Sequence, residues 1–161
     1  MAQETISIER ALLKSEAFRT LNGTEKTVLL DFLMKRTFQK INTKPGRKAE
    51  WIITNNGKIE YCYSEAEKKG IPRATFMRAI DTLVSNGFID IAHSGNGGVK
   101  GDKSLYSISD RWRKWGTDDF IEASRQKDGR LGRGFAVFWR NKKSNSGNKK
   151  DNPSVINSDN P

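Results

Sequence analysis

Two side chains that dominate metal and nucleophilic chemistry are almost missing from this chain. Its 161 residues include one cysteine, Cys62, and one histidine, His93. A single cysteine excludes a disulfide within one chain and favours a reducing compartment. The two residues cannot supply the ligands of the usual structural zinc sites, and they lie in different segments, which argues against a nucleophile–base pair. We therefore expect no metal, no cofactor and no enzymatic activity.

Long apolar runs are absent as well. No stretch approaches the ~18 consecutive apolar residues typical of a membrane-spanning helix. The first ten residues lack the apolar core of a signal peptide. We therefore expect a cytoplasmic protein with no membrane partner. Hydrophobic residues make up 35% of the sequence, which is enough for one compact core.

Acidic residues are scarce relative to basic ones. The chain has 29 Lys and Arg against 19 Asp and Glu, a formal net charge of +10. The excess is concentrated late, since residues 101–150 hold thirteen basic residues against six acidic ones. Such a balance favours a polyanionic partner. A membrane surface could use the same charge, but the sequence shows no basic amphipathic helix with an aromatic face.

Two near matches to catalytic motifs fail on inspection. The stretch SGNGGVKGDKS resembles a phosphate-binding loop, but Asp102 precedes Lys103 where the motif needs glycine, and a strand is expected after it instead of a helix. Asp118, Asp119 and Glu122 could in principle hold a metal. Acids at the start of a surface helix are far commoner, because they complement the helix dipole.

The N-terminal half shows two helical patterns. Apolar residues at Ile8, Leu12, Phe18 and Leu21 predict an amphipathic helix, or two short ones, that ends at Asn22-Gly23. Thr24 is then expected to cap a further helix. That helix carries a buried stripe formed by Val28, Leu29, Phe32 and Leu33.

A turn-rich region follows. The segment INTKPGRKAE predicts a loop whose cations, Lys44, Arg47 and Lys48, are either solvated or in contact with phosphate. Asn55-Asn56-Gly57 separates two β-prone runs, WIIT and IEYCY, and predicts that they form a hairpin.

The stretch from Ser64 to Ile91 predicts a short helix, a turn, a longer helix and a strand. Ser64 and Glu67 have the spacing of a capping box, and Gly70 suits the left-handed residue that ends a helix. Pro72 suits the start of the next helix. Its apolar face comprises Phe76, Ile80, Leu83 and Val84, and its opposite face Thr75, Arg78, Thr82 and Ser85. Asn86-Gly87 ends it, and Phe88 to Ile91 alternates as a strand does.

The segment GIPRATFMRAIDTLVSNGFI resembles the turn, recognition helix and first wing strand of the winged helix-turn-helix superfamily of DNA-binding domains. HSGNGGVKGDKS and LYSIS then resemble the wing and its second strand. The resemblance covers roughly residues 24–110 and implies a mainly α fold with a small antiparallel β-sheet. In that superfamily one strand before the helix-turn-helix usually pairs with the wing, so a full hairpin there would be an elaboration. Many members carry Ser or Thr where this chain has Pro72.

The resemblance implies non-enzymatic binding of double-stranded DNA, with a homodimer as one possible form. Such a protein would be a transcription regulator, or a replication or partition protein of a mobile element. The helix from Arg73 to Gly87 would enter the major groove. The residues expected to contact DNA are Arg73, Thr75, Arg78 and Thr82 on the helix, Lys100 and Lys103 in the wing, and Arg111 and Arg113 beyond it. Two alternatives stay open: an RNA-binding or ribosome-associated winged helix, and a protein-interaction adaptor.

The domain organisation predicted from composition has three parts. Residues 1–116 form the winged-helix domain, in which Ser109 caps a short helix that places Trp112 and Trp115 against the fold. Residues 117–140 form a basic C-terminal extension that begins with a helix at Thr117. Residues 141–161, with Val155 and Ile156 as their apolar members, form a disordered polar tail.

Overall fold

The computed structural model describes residues 6–41, 50–95 and 102–125. It combines helices with two small antiparallel sheets. The helices are α1 (Arg10–Lys14), α2 (Glu16–Thr20), α3 (Gly23–Met34), α4 (Tyr63–Lys68) and α5 (Arg73–Ser85), with a 3₁₀ helix at Arg111–Lys114. The strands are β1 (Phe38–Lys40), β2 (Trp51–Ile53), β3 (Ile59–Glu60), β4 (Ile89–His93) and β5 (Leu105–Ile108). The fold is therefore mixed, with two sheets where one was expected.

The described chain up to Arg125 forms one compact unit, which includes residues 117–125. The rest of the predicted basic extension and the whole predicted tail lie outside the described residues.

The predicted N-terminal helix forms as two short helices that meet at Ser15. This residue is the N-cap of α2, where its Oγ accepts a hydrogen bond from the Phe18 N–H at 3.2 Å. Helix α3 begins before Thr24, so the predicted cap is wrong. The N-cap is Asn22, whose side chain accepts from the Glu25 N–H while the Glu25 carboxylate accepts from the Asn22 N–H. This reciprocal pair satisfies two amides that lack partners at a helix start.

The predicted hairpin from Trp51 to Tyr63 is wrong. Strand β2 pairs with β1, in the register Phe38↔Ile53 and Lys40↔Trp51, and β3 pairs with β5 instead. Asn55 prevents the tight Asn-Gly hairpin: its side chain accepts from the Thr37 N–H and donates to the Lys35 carbonyl, which ties the turn back to the end of α3.

Helix α4 starts earlier than expected, so Ser64 lies inside its first turn and the predicted capping box is wrong. Cys62 is the N-cap, outside any strand. The predicted role of Gly70 is confirmed by its φ of 80°. The Ile71 N–H donates to the Ala66 carbonyl and the Gly70 N–H to the Glu67 carbonyl, the two bonds of a Schellman motif.

The same motif ends α5. Gly87 has a φ of 79°, the Phe88 N–H donates to the Leu83 carbonyl, and the Gly87 N–H donates to the Val84 carbonyl. These bonds satisfy carbonyls at the end of α5 and turn the chain directly into β4. The predicted helix end at Asn86-Gly87 and the strand that follows are therefore confirmed.

The core lies between α3, α5 and the three-stranded sheet, whose order is β3-β5-β4. The predicted apolar face of α5 is buried in full, and so is the predicted stripe of α3. An aromatic cluster joins these layers: the Phe32 ring lies 5.3 Å from Tyr61 and 5.1 Å from Tyr106, and Tyr61 lies 4.6 Å from Phe76, between centroids. Contacts of this geometry add to the stabilisation from burial.

A buried carboxylate connects α3 to α4. The Tyr61 hydroxyl donates to Asp31 Oδ2 at 2.6 Å, and Lys69 Nζ lies 2.9 Å from Asp31 Oδ1. Asp31 is 5% exposed. A buried carboxylate without partners is costly, so α4 must lie where both Tyr61 and Lys69 reach Asp31 of α3.

The chain after β5 packs back on the core. Trp112 is buried in the 3₁₀ helix and its ring stacks on Phe88, and Trp115 is half-buried, as predicted for both. The expected helix from Thr117 does not form within the described residues: the Thr117 and Phe120 amides make short turn bonds, and the chain then continues without regular structure to Arg125. No helix in the described ranges has both the length and the apolar character needed to cross a membrane.

Candidate nucleic-acid interface

Helix α5 presents one face to the core and the other outward. Its buried residues are Phe76, Ala79, Ile80, Leu83 and Val84. Its most exposed residues are Arg73, Ala74, Met77 and Arg78, while Thr75, Asp81, Thr82 and Ser85 are half-buried. Because the two Schellman motifs hold both flanking turns, the outward face is presented on a rigid element.

Arg73 and Arg78 are the exposed cations of this face. The Arg73 guanidinium carbon lies 4.6 Å from the Tyr63 ring centroid, a cation–π contact that orients it at the start of the helix. Arg78 Nε donates to the Ala74 carbonyl at 3.3 Å, within the same helix. Neither guanidinium forms an ion pair with another residue of the described chain. Both are therefore available to an external anion.

Thr75 and Thr82 line an open groove between α5 and the start of α3, with a volume of about 470 Å³. The Thr82 hydroxyl donates to the Arg78 carbonyl, and its oxygen accepts no hydrogen bond from another described residue. Across the groove lie Asn22, Thr24 and Glu25 of α3. The groove thus combines one cation, Arg78, with hydroxyl and amide groups and with the carboxylates of Glu25 and Asp81. Glu25 accepts a hydrogen bond from the Asn22 N–H. Hydroxyl and amide groups contact both bases and phosphates in protein–DNA complexes.

An ion pair on this face was not predicted. Arg125 Nε lies 3.0 Å from Asp81 Oδ1 and its Nη2 donates to Asp81 Oδ2 at 3.1 Å, while Nη1 donates to the Tyr63 hydroxyl. The pair neutralises the acidic side chain on the outward side of α5. A spacing of 44 residues carries no local signal, so sequence patterns could not find it.

Two lysines were predicted to lie in the wing, and the structure describes one of them. Lys100 lies outside the described residues. Lys103 Nζ lies 2.8 Å from Glu60 Oε2, and this hydrogen bond raises the pKa of the Lys103 ammonium. Close by, His93 Nε2 lies 2.9 Å from Asp102 Oδ1, across the base of the β4–β5 hairpin. Lys103 is exposed, but its ammonium would have to leave Glu60 to bind a phosphate.

Arg111 is engaged inside the protein. Its guanidinium donates to Asp90 Oδ1 through both Nε and Nη2, to the Val84 carbonyl at 2.8 Å and to the Ile121 carbonyl at 2.7 Å. The side chain is 22% exposed. These bonds join the end of α5, β4 and the segment after the 3₁₀ helix, so the geometry gives Arg111 a structural role.

Arg113 makes internal contacts that are more exposed. It pairs with Glu9, which precedes α1, and more loosely with Asp110 at 3.5 Å, and its guanidinium carbon lies 4.5 Å from the Trp112 ring centroid. The hydrogen bond to Glu9 raises the pKa of Arg113. Both acids are well exposed, so Arg113 ties the N-terminal segment to the 3₁₀ helix at the surface.

No group of three or more His, Cys, Asp or Glu in the described part of the chain has the spacing of a metal site. Asp118, Asp119 and Glu122 in particular form no such group.

Comparisons of this chain with protein-family models, with curated proteins and with solved structures find no match.

Proposed function

We propose that this protein is a winged helix-turn-helix protein that binds double-stranded DNA without catalysis. In this proposal α5 enters the major groove, and the β4–β5 hairpin serves as the wing that contacts the neighbouring backbone. A role in transcription regulation, or in replication or partition of a mobile element, follows from such binding.

The arrangement of elements supports the fold proposal. The order α3, β3, α4, α5, β4, β5 places a short strand before two helices and a hairpin after them. Strand β3 pairs with β5 of the hairpin, as the strand before a helix-turn-helix usually does in that superfamily. The β1–β2 sheet is an addition to this plan.

The observation that carries the functional proposal is the outward face of α5. A helix of thirteen residues presents Arg73 and Arg78 with no ion-pair partner among the described residues. The groove beside Arg78 is lined by hydroxyl and amide groups and by two acids, Glu25 and Asp81, of which Asp81 is paired with Arg125. Arginine is the side chain that most often reads guanine in the major groove, because its planar fork matches the O6 and N7 acceptors. Two exposed guanidinium groups without an ion-pair partner among the described residues favour a polyanionic ligand.

The proposed interface includes fewer DNA-contacting residues than the sequence predicts. Arg73, Thr75, Arg78 and Thr82 stay in the proposed interface. Lys103 stays as a phosphate contact that first leaves Glu60. Arg111 is assigned to holding the fold together, because its bonds lie inside the protein. Arg113 is left out of the proposed interface because it lies on the 3₁₀ helix and pairs with Glu9 and Asp110.

The test begins with selection of a preferred site from random duplex DNA. Arg78→Ala should then weaken binding to that site by about 1–3 kcal/mol and relax preference at one base pair. The unfolding midpoint should not change, since the only bond that Arg78 makes in the described structure lies within its own helix turn. Lys100→Ala combined with Lys103→Ala should weaken all duplexes alike and reduce the salt dependence of binding.

Arg78→Lys is the matched control, because it keeps the charge and removes the planar fork. It should restore affinity for random duplex but not base preference. Equal losses on preferred and random DNA for Arg78→Ala would remove Arg78 as a base reader. The protein-interaction adaptor would replace the proposal if no variant altered binding to duplex DNA and single-stranded RNA bound no more tightly than duplex DNA.

A further inference from the structure

The β1–β2 sheet has a face that the proposed duplex interface does not use. Because side chains alternate along strands, Phe38 and Lys40 of β1 share one face with Trp51 and Ile53 of β2. We call these four residues the aromatic face. Trp51 is 60% exposed and Phe38 is 44% exposed. Contiguous exposed apolar side chains rimmed by polar residues are typical of interaction sites, whereas single ones need no explanation.

The two rings stand at neighbouring positions. Phe38 lies opposite Ile53, and Trp51 is two residues before Ile53, so the rings occupy diagonal positions on adjacent strands. Diagonal positions are roughly 7–8 Å apart between Cα atoms, within reach of aromatic side chains. The face therefore presents two exposed rings at diagonal positions, and Arg36 contacts one side of the Phe38 ring.

The charges around the rings are positive. Lys40 lies directly opposite Trp51, and the Arg36 guanidinium carbon lies 5.1 Å from the Phe38 ring centroid. Arg36 is held in place, since it donates to the Leu33 carbonyl at 3.0 Å and to the Ser7 carbonyl at 2.7 Å. The aromatic face itself includes no acid, and Glu50, which pairs with Ile41, alternates to the other side.

The size of the aromatic face argues against a partner protein. Aromatic side chains have about 150–250 Å² to bury, so the exposed fractions of Phe38 and Trp51 leave on the order of 200 Å². A stable protein–protein interface needs about 800 Å² from each partner. An area this small matches one or two planar groups instead.

We propose that the aromatic face binds unstacked bases of single-stranded nucleic acid, with Lys40 next to the phosphates and Arg36 adding positive charge beside Phe38. Stacking of bases on aromatic side chains beside cations is how sequence-tolerant single-strand binders work. The site is separate from α5 and would let the protein hold an unpaired strand as well as a duplex. It requires nothing of the duplex interface.

The test uses the full chain and a labelled oligothymidylate or oligouridylate, with fluorescence anisotropy as the readout. Trp51→Ala and Phe38→Ala should each lower affinity by about 5- to 150-fold, the effect of losing one stacked base. Trp51→Phe should recover part of the loss because it keeps a ring. The oligonucleotide should also quench the fluorescence of the wild type more than that of Trp51→Phe. Comparing the two oligonucleotides shows whether the natural ligand is DNA or RNA.

Ile52→Ala is the matched control. Ile52 is 44% exposed on the opposite face of the same strand, so its loss tests the stability of β2 without touching the aromatic face. It should leave oligonucleotide binding unchanged, and thermal unfolding should be alike for Trp51→Ala and Ile52→Ala.

Three results would overturn the proposal. One is a wild type that binds neither oligonucleotide, and another is unchanged binding by both alanine variants. The third is a sedimentation mass that falls from dimer to monomer in Trp51→Ala, which would make the aromatic face a self-association surface.

Discussion

Replacing Arg111 tests whether this basic residue, which follows the β4–β5 hairpin, stabilises the fold or binds the proposed DNA ligand. The structure gives its guanidinium bonds to Asp90, to the Val84 carbonyl and to the Ile121 carbonyl. Arg111→Ala removes all of them at once. The affected elements are the end of α5, strand β4 and the chain that continues to Arg125.

The magnitude follows from burial and from what is left unpaired. Hydrogen bonds to charged groups contribute about 1.5–3 kcal/mol each when buried. Here Arg111 is 22% exposed and Asp90 40%, so solvent screening lowers the contribution of the pair to about 1 kcal/mol or less. The Val84 carbonyl keeps a bond from the Gly87 N–H, and Ile121 is exposed to water. The bonds to these two carbonyls together add about 1 kcal/mol, so the total loss is about 2 kcal/mol.

Urea denaturation followed by circular dichroism measures this loss, and duplex binding is then compared per folded molecule. Arg113→Ala is the comparison, because its acidic partners are 62% and 77% exposed and should contribute less than about 1 kcal/mol. A double-mutant cycle with Asp90→Ala gives the coupling of the pair directly. If Arg111→Ala folded as stably as the wild type and lost duplex affinity tenfold or more, the structural role would be refuted.

Two further predictions concern stability. Gly87→Ala should destabilise by about 2–5 kcal/mol, because the φ of 79° disfavours a side chain and the new Cβ would lie 2.7 Å from Arg111 Cβ and 2.8 Å from the Trp112 nitrogen. Gly70 has a φ of 80° but no atom within 4 Å of the position of a new Cβ, so Gly70→Ala should lose only the about 1–2 kcal/mol that a left-handed backbone costs. Equal urea midpoints for Gly87→Ala and Gly70→Ala would show that the close contacts at Gly87 do not destabilise the variant. Burial, and then the hydrogen bond to the Asp31 carboxylate, raise the pKa of Tyr61 far above its ordinary value, so the stability from its neutral hydroxyl is full below about pH 10 and is lost as pH rises further. Urea midpoints at about pH 8 and about pH 11 should therefore differ less in Tyr61→Phe than in the wild type, and an unchanged difference would contradict this.

The sequence alone was sufficient for the helix at the centre of the proposed interface. The bounds of α5, its buried face and the glycines that end α4 and α5 were all predicted and are confirmed. Each is encoded in neighbouring residues: a period of 3.6 places apolar side chains on one face, and a left-handed turn needs glycine. Arg73 and Arg78 were placed on the helix for the same local reason.

Cap positions were less predictable. Ser64 and Thr24 have the right chemistry for N-caps, yet Cys62 and Asn22 hold those positions. A cap depends on where the preceding chain enters the helix, and this is decided by packing. The helices themselves survive a shift of one or two residues, since their apolar faces are unchanged.

Only the tertiary structure decided which strands pair and which basic side chains are free. Strand β3 was expected to pair with β2 but finds β5, because β5 is brought beside it when the hairpin packs on the core. The sequence does not distinguish Arg111 from Arg78, because both are basic residues beside apolar ones. Among the described residues, Arg111 bonds to Asp90 and to two carbonyls outside its own helix, whereas Arg78 bonds only within its own helix. Charge is a property of the residue, but a partner at long range is a property of the fold.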